Sequence, residues 1–199
     1  MIRSRVEARR RDDRNELDAL GRRLEAARWG LVPSWAKDPA IGSRMINARS
    51  ETMAEKPSFR SAFAKRRCVV PASGYYEWHT GPDGKQPFWI HPSDDAPLAF
   101  AGLYEFWRDK AAGEDAPWLV TTTIVTTAAR GDMRDIHDRQ PVMLTREERG
   151  GWLDPESTPD DLFAAIDAPA HHDSRPTKAR LVGSPSKSRT GTKSALLLS

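Results

Sequence analysis

With 199 residues and 38% hydrophobic content, the chain has material for one core and is short for two. Its formal net charge of +3 permits a nucleic-acid partner without demanding one, and its single cysteine excludes an intramolecular disulfide framework and a thiolate zinc cluster, which fits a reducing cytoplasm. No apolar run approaches the roughly 20 residues of a bilayer span, and the arginine-rich start has no apolar stretch of the secretory kind.

Residues 3–28 are dominated by Arg, Glu and Asp, with Leu17, Leu20 and Leu24 at helical spacing, which predicts a solvated amphipathic helix over 1–28. From Trp29 the texture changes to short apolar runs punctuated by Pro and Gly, and strands are expected at 28–32, 68–71, 75–79, 88–91, 98–106, 118–126 and 141–144. The polar stretch 46–52 is a turn or a site and is not expected to be a core strand. Residues 80–84, with Gly81, Pro82 and Gly84, predict a hairpin turn, and 111–116 a further turn. A short helix is expected at 58–65. Thr145 and Glu148 have the spacing of a capping box, opening a helix to about Leu153, and Thr158 with Pro159 opens another to about Asp167. Residues 168–199 lose periodicity and fill with Ser, Thr, Lys, Arg and Pro, which predicts a disordered basic tail. The chain thus divides into 1–28, a domain at 29–167 and 168–199. Strand pieces joined by short turns, with a few helices at the margins, predict an α+β domain built on a mainly antiparallel sheet.

Glu77 lies between Tyr76 and Trp78, so strand alternation leaves two arrangements: the aromatics inside with Glu77 in water, or Glu77 facing a lined pocket. A carboxyl desolvated by apolar groups favours its protonated form, which is how such a group serves as a proton carrier near neutrality. His137 stands among Asp135, Asp138 and Arg139, where it is either a surface group or a proton carrier. The other four histidines, His79, His91, His171 and His172, show no metal-ligand spacing with a cysteine, so neither a metal nor a cofactor is expected.

Six blocks occur in order: W-G-L-V-P-S-W at 29–35, I-N-A-R-S-E-T at 46–52, E-K-P-S-F-R at 55–60, R-R-C-V-V-P-A-S-G-Y-Y-E-W at 66–78, K-Q-P-F-W-I at 85–90 and I-H-D-R-Q-P-V-M-L at 136–144. Together, over residues 28–155, they resemble the SOS-response-associated peptidase family, also called abasic-site processing proteins. The resemblance implies a curved, barrel-like sheet with peripheral helices. It also implies a function: binding single-stranded DNA, joining covalently to abasic sites, and peptidase-like self-processing. In that family the nucleophile is an N-terminal cysteine, whose α-amine condenses with the ring-opened aldehyde and whose thiol closes a thiazolidine. By the same resemblance Asn47, Glu77 and His137 are the polar residues around that cysteine, and Trp29, Arg49, Trp78, Thr126 and Arg139 hold the strand or its phosphates. Arginine suits phosphate and indole suits base stacking.

The sequence departs from the pattern at its start, Met1-Ile2-Arg3-Ser4, where the family begins Met-Cys-Gly-Arg. Ile2 is too bulky for ordinary methionine removal, and Cys68, at the start of an apolar run, is expected to be a buried structural residue. A thiazolidine needs amine and thiol on one residue, so Cys68 does not supply it. Strands missing from both ends would leave sheet edges unpaired. Three readings follow: an abasic-site processing enzyme, a remnant that binds single-stranded DNA without reacting, or a truncated, inactive product.

Overall fold

A computed structural model describes residues 22–94, 96–167, 177–181 and 194–198. Among the described residues ten strands and three α-helices follow one another along the chain. They are β1 (Leu24–Trp29), β2 (Asn47–Arg49), α1 (Arg60–Lys65), β3 (Arg67–Ala72), β4 (Tyr75–Gly81), β5 (Gly84–Pro92), β6 (Leu98–Trp107), β7 (Leu119–Ala128), β8 (Arg139–Pro141), α2 (Arg146–Leu153), α3 (Pro159–Asp167), β9 (Thr177–Leu181) and β10 (Ser194–Leu198).

The larger sheet runs β1-β10-β3-β6-β7-β2, with β8 also on β7. Because β1 pairs in parallel with β7, through Arg28 opposite Thr121 and Trp29 opposite Thr122, five of these strands return on themselves as a barrel-like ring. Most pairings are antiparallel; β1 and β2 on β7 are the parallel ones. A smaller antiparallel sheet, β4-β5-β9, stands beside it. The α+β, mainly antiparallel architecture expected from the sequence is the one found.

The core follows from the alternation of the strands. Leu31, Ala48, Met53, Phe63, Val69, Leu103, Val125, Val142, Trp152 and Ile166 form one buried cluster between the ring and the helices. Ala27, Cys68, Val70, Leu98 and Phe100 form a second. Trp152, fully buried on α2, donates its indole N–H to the Cys68 carbonyl at 2.9 Å, which pins the helix to β3. The start of α2 is the expected capping box: Thr145 Oγ1 accepts from Glu148 N and Glu148 Oε2 from Thr145 N. Thr145→Ala removes one half of it and is expected to cost about 1 kcal/mol, read as a lower urea midpoint with unchanged m-value.

The 80–84 turn closes the β4–β5 hairpin, with Gly81 opposite Gly84 and Gly84 at φ +99°, a conformation glycine adopts without strain. Gly30, at φ +113°, lets its backbone pass against Gly42, where an added Cβ would sit 2.3 Å from the Gly42 carbonyl oxygen.

Three expectations are corrected. Residues 24–29 are a strand, not the end of a helix, because pairing to β10 on one side and β7 on the other outweighs local spacing; the remainder of the expected helix, with Leu17 and Leu20, lies outside the described residues. Residues 47–49 are a strand after all, with Ala48 fully buried and Asn47 and Arg49 turned outward. Residues 168–199 are not wholly a disordered tail: 177–181 pairs with β5, and 194–198 sits between β1 and β3. These pairings occupy edges that were expected to be open; the larger sheet crosses the positions expected as boundaries at 28/29 and 167/168, and the smaller one crosses 167/168.

Candidate nucleic-acid interface and proton-carrying pair

Strand β7 gathers most of the residues singled out from the sequence. On one side its Thr122 meets Trp29 of β1, and Ile124 to Thr126 meet Asn47 to Arg49 of β2. On the other side Thr126 to Ala128 meet Pro141 to Arg139 of β8. Asn47 and Arg49, two apart on β2, share the outward face, since Ala48 between them is buried. Trp29 is fixed by its indole N–H, which donates to the Ile46 carbonyl at 2.8 Å. Thr126 is buried, and its carbonyl accepts from Ser50 N and from Arg139 Nη2, both within 2.9 Å.

Arg139 is held, not free. Its two terminal nitrogens bridge both carboxylate oxygens of Glu51, and Nη2 also reaches Thr126 Oγ1 at 3.3 Å. The arginine in turn holds the Glu51 carboxyl below its ordinary value of 4.5, chiefly through that hydrogen bond. Arg49 makes no ion pair among the described residues.

Glu77 and His137 form a second group. On β4 the exposed residues are Tyr76, Trp78 and Thr80, while Tyr75, Glu77 and His79 share the less exposed face. The aromatics are therefore not inside, as the first of the two arrangements had them, and Glu77 is half-buried on the other face. Glu77 Oε1 lies 4.0 Å from His137 Nε2 and accepts the Trp78 N–H at 3.1 Å. His137 is positioned by its own turn, the 3-10 segment Gly131–Asp135, where His137 N donates to Met133 O at 2.9 Å. Tyr75 O–H reaches Met133 Sδ at 3.8 Å and so ties that turn to β4. Burial, with a smaller contribution from the Glu77 charge, pushes the Tyr75 phenol far above its ordinary value, so it stays a donor.

Two contacts compete at His137 Nδ1. The Arg139 N–H donates to it at 3.0 Å, and Asp138 Oδ1 lies 3.0 Å away. A backbone N–H has a fixed direction and needs a lone pair, whereas Asp138 is largely in water. The amide therefore sets the tautomer, leaving Nδ1 the acceptor and Nε2–H directed toward Glu77. A neutral imidazole does not give its N–H to a carboxylate, so of the two groups Glu77 is the one chemically able to take up and return a proton, with His137 Nε2 4.0 Å from its Oε1. Because His137 and Arg139 are two residues apart, the Glu77–His137 pair and the β7 group are joined by one short segment.

Cys68 is fully buried, and burial pushes its thiol up to about 12. It is a structural residue facing Thr122 Oγ1 at 3.6 Å. Among the described residues no group of three His, Cys, Asp or Glu side chains could share a metal ion, and no helix is long and apolar enough to cross a membrane. Two features were not singled out from the sequence. Glu51, inside the quoted 46–52 block, clamps Arg139, and Trp35 is 56% exposed, presenting more indole than Trp29.

The family described as SOS response associated peptidase (SRAP) matches residues 4–182, well past both limits of the resemblance read from the motifs. Abasic site processing protein YoqW of Bacillus subtilis is 47% identical over 150 residues, which span 75% of this chain and 65% of YoqW. Abasic site processing protein HMCES of Gallus gallus is 36% identical over 168 residues, spanning 73% of this chain and 49% of HMCES. The chain thus covers less than two thirds of the length of either relative. Among solved structures, a Bacteroides thetaiotaomicron protein superimposes with a TM-score of 0.68 at 31% identity, covering 78% of this chain and 68% of that one. A Bordetella bronchiseptica protein does so with a TM-score of 0.64 at 29% identity, covering 79% and 76%. Matched over residues 4–182, and sharing its fold with these structures, the chain belongs to the SOS response associated peptidase family.

Proposed function

We propose that this protein binds single-stranded DNA at abasic sites and processes them, with Asn47, Glu77 and His137 at the reacting sugar and Trp29, Arg49, Trp78, Thr126 and Arg139 along the strand. The observation that carries the reading is the facing pair of Glu77 and His137, joined through Arg139 to the β7 group. Condensation of an amine with the ring-opened aldehyde passes through a carbinolamine, and expelling its hydroxyl as water requires a proton. In this reading the Glu77 carboxyl gives that proton and takes one back afterwards, and the His137 Nε2–H, 4.0 Å from Oε1, stabilises the carboxylate in between. Asn47 offers an amide to orient the sugar, and Arg49 offers a charge to a phosphate.

In the covalent route that the family resemblance implies, one cysteine supplies amine and thiol. Cys68, buried with its thiol pushed up to about 12, is not that residue, and in a second reading the same site holds the abasic strand without a covalent link. A gel separates the two: a shifted band of abasic DNA that survives denaturation supports the covalent route. A band seen only under native conditions supports the binding module. Failure to bind abasic single strands in either gel overturns both. Self-processing as a peptidase belongs to the covalent reading and is tested by the mass of the mature chain.

Glu51 competes with phosphate for Arg139. Glu51→Gln is therefore expected to tighten single-stranded DNA binding and steepen its salt dependence, by about 0.7 in slope if one more phosphate is engaged. Its effect on stability is expected to stay below about 1 kcal/mol, since the pair is substantially exposed. The sign with pH follows from the lowered Glu51 value: the pair's contribution is complete above 4.5 and is lost as pH falls through the depressed value in the folded protein.

A further inference from the structure

His137 reaches Glu77 from a turn built on one methionine. The Met133 carbonyl accepts the N–H of Ile136 at 3.1 Å and that of His137 at 2.9 Å, and Met133 N donates to Arg130 O at 3.1 Å. Its Sδ accepts the Tyr75 hydroxyl at 3.8 Å, which ties the turn to β4 two residues from Glu77. A thioether is a weak acceptor, so this tie is easily upset. Tyr75 itself is fixed, with its ring edge-on to Phe100 at 5.7 Å between centroids.

The other described sulfur atoms are sheltered. Met53 is fully buried, and Met45 and Met143 pack against the two core clusters. Cys68 is fully buried, and with its thiol pushed up to about 12 it holds almost no thiolate, the form that oxidants attack. Met133 is half-buried in an otherwise exposed 3-10 segment and belongs to neither cluster.

We propose that Met133 is a reversible oxidation site that sets the geometry of the Glu77–His137 pair, with a peroxide as the oxidant. The thioether sulfur gives an electron pair to one peroxide oxygen, the O–O bond breaks, and the other oxygen leaves as water. Sulfur is thereby oxidised by two electrons to the sulfoxide, and the peroxide is reduced. The sulfoxide has two epimers. An oxygen placed along the lone pair that Tyr75 now uses stands closer to the phenol oxygen than the about 2.5 Å a hydrogen bond allows, so the turn is pushed off β4. An oxygen on the other lone pair leaves the phenol a poorer acceptor on sulfur, and the tie weakens. Either way His137, bonded to the Met133 carbonyl, leaves its place 4.0 Å from Glu77. Slower processing, the consequence, rests on the abasic-site reading; the modification and the movement do not.

The test treats the protein with hydrogen peroxide and reads each methionine-containing peptide by mass for one added oxygen. Met133 is expected to oxidise before Met45, Met53 and Met143. The NMR signals of the His137 ring should then shift, and should return when methionine sulfoxide reductases A and B, which divide the two epimers between them, remove the oxygen. That reversal is read on the wild type and needs no variant. Aldehyde consumption should fall by about 10- to 100-fold on oxidation, the scale of a misplacement near 1 Å. Met133→Leu should show neither the peroxide-induced shift nor the peroxide-induced fall. Met133 oxidising after the sheltered methionines, a Met133 sulfoxide that leaves the His137 signals unmoved, or an equal peroxide effect in Met133→Leu overturns the proposal. If the untreated protein consumes no aldehyde, the abasic-site reading falls, and the mass and NMR results still decide on Met133.

Discussion

Glu77→Gln is expected to slow consumption of the abasic aldehyde by about 100- to 10,000-fold, the usual scale for losing a positioned proton carrier. The rate is followed with an aldehyde-reactive probe on single-stranded abasic DNA, with free cysteine added so that amine and thiol are not limiting. Glutamine keeps the shape and can still accept the Trp78 N–H that now binds Glu77 Oε1, so the strand should hold its course. What it loses is the capacity to take up and return a proton opposite His137 Nε2. Affinity for intact single-stranded DNA should be unchanged, because Arg49 and the β7 group are untouched. A variant that consumes the aldehyde at the wild-type rate would show that the carboxylate takes no part.

Arg67→Ala is expected to be the most destabilising single change, by about 3–5 kcal/mol, with a fall in Tm of roughly 6–20 °C for a chain of this size. Arg67 is buried, and its guanidinium serves four carbonyls. Nε donates to Trp152 O at 2.8 Å, Nη1 to Phe63 O and Ala64 O at 2.9 and 3.1 Å, and Nη2 to Asp154 O. These carbonyls belong to the C-terminal ends of α1 and α2, where helices leave acceptors unsatisfied and carry negative partial charge. One side chain therefore caps two helices and joins them to β3. Truncation strands several acceptors away from water, each costing about 1–3 kcal/mol if left unmet. Arg67→Lys should recover only part, since a single ammonium cannot reproduce the planar fork. Calorimetry that found a loss below about 1 kcal/mol would refute the capping role.

How much of this was readable from the sequence depends on how local each signal is. The β4–β5 hairpin, the Thr145–Glu148 capping box and the helix at 60–65 rest on neighbours within a few residues, and they stand where expected. β2 was missed because a three-residue strand with one apolar side chain carries no alternation; its parallel pairing to β7, more than 70 positions away, makes it a strand. β9 and β10 were missed for the same reason, their partners being sheet edges set by distant sequence. At the site, residue types were legible and their grouping was not. Nothing near Glu77 announces that a histidine 60 positions later faces it, or that Met133 and Tyr75 bring the two elements together. The clamp of Glu51 on Arg139 was equally invisible, although both residues stand in the quoted blocks.

The most direct measurement is NMR of the His137 ring, assigned by the loss of its signals in His137→Gln, during addition of single-stranded DNA bearing one abasic site. The account predicts that those signals shift with the abasic strand and move far less with an intact strand of the same sequence, because only the abasic sugar reaches the Glu77–His137 pair. Saturated binding of the abasic strand with the His137 signals unmoved would contradict it, and would place the abasic sugar elsewhere on the protein.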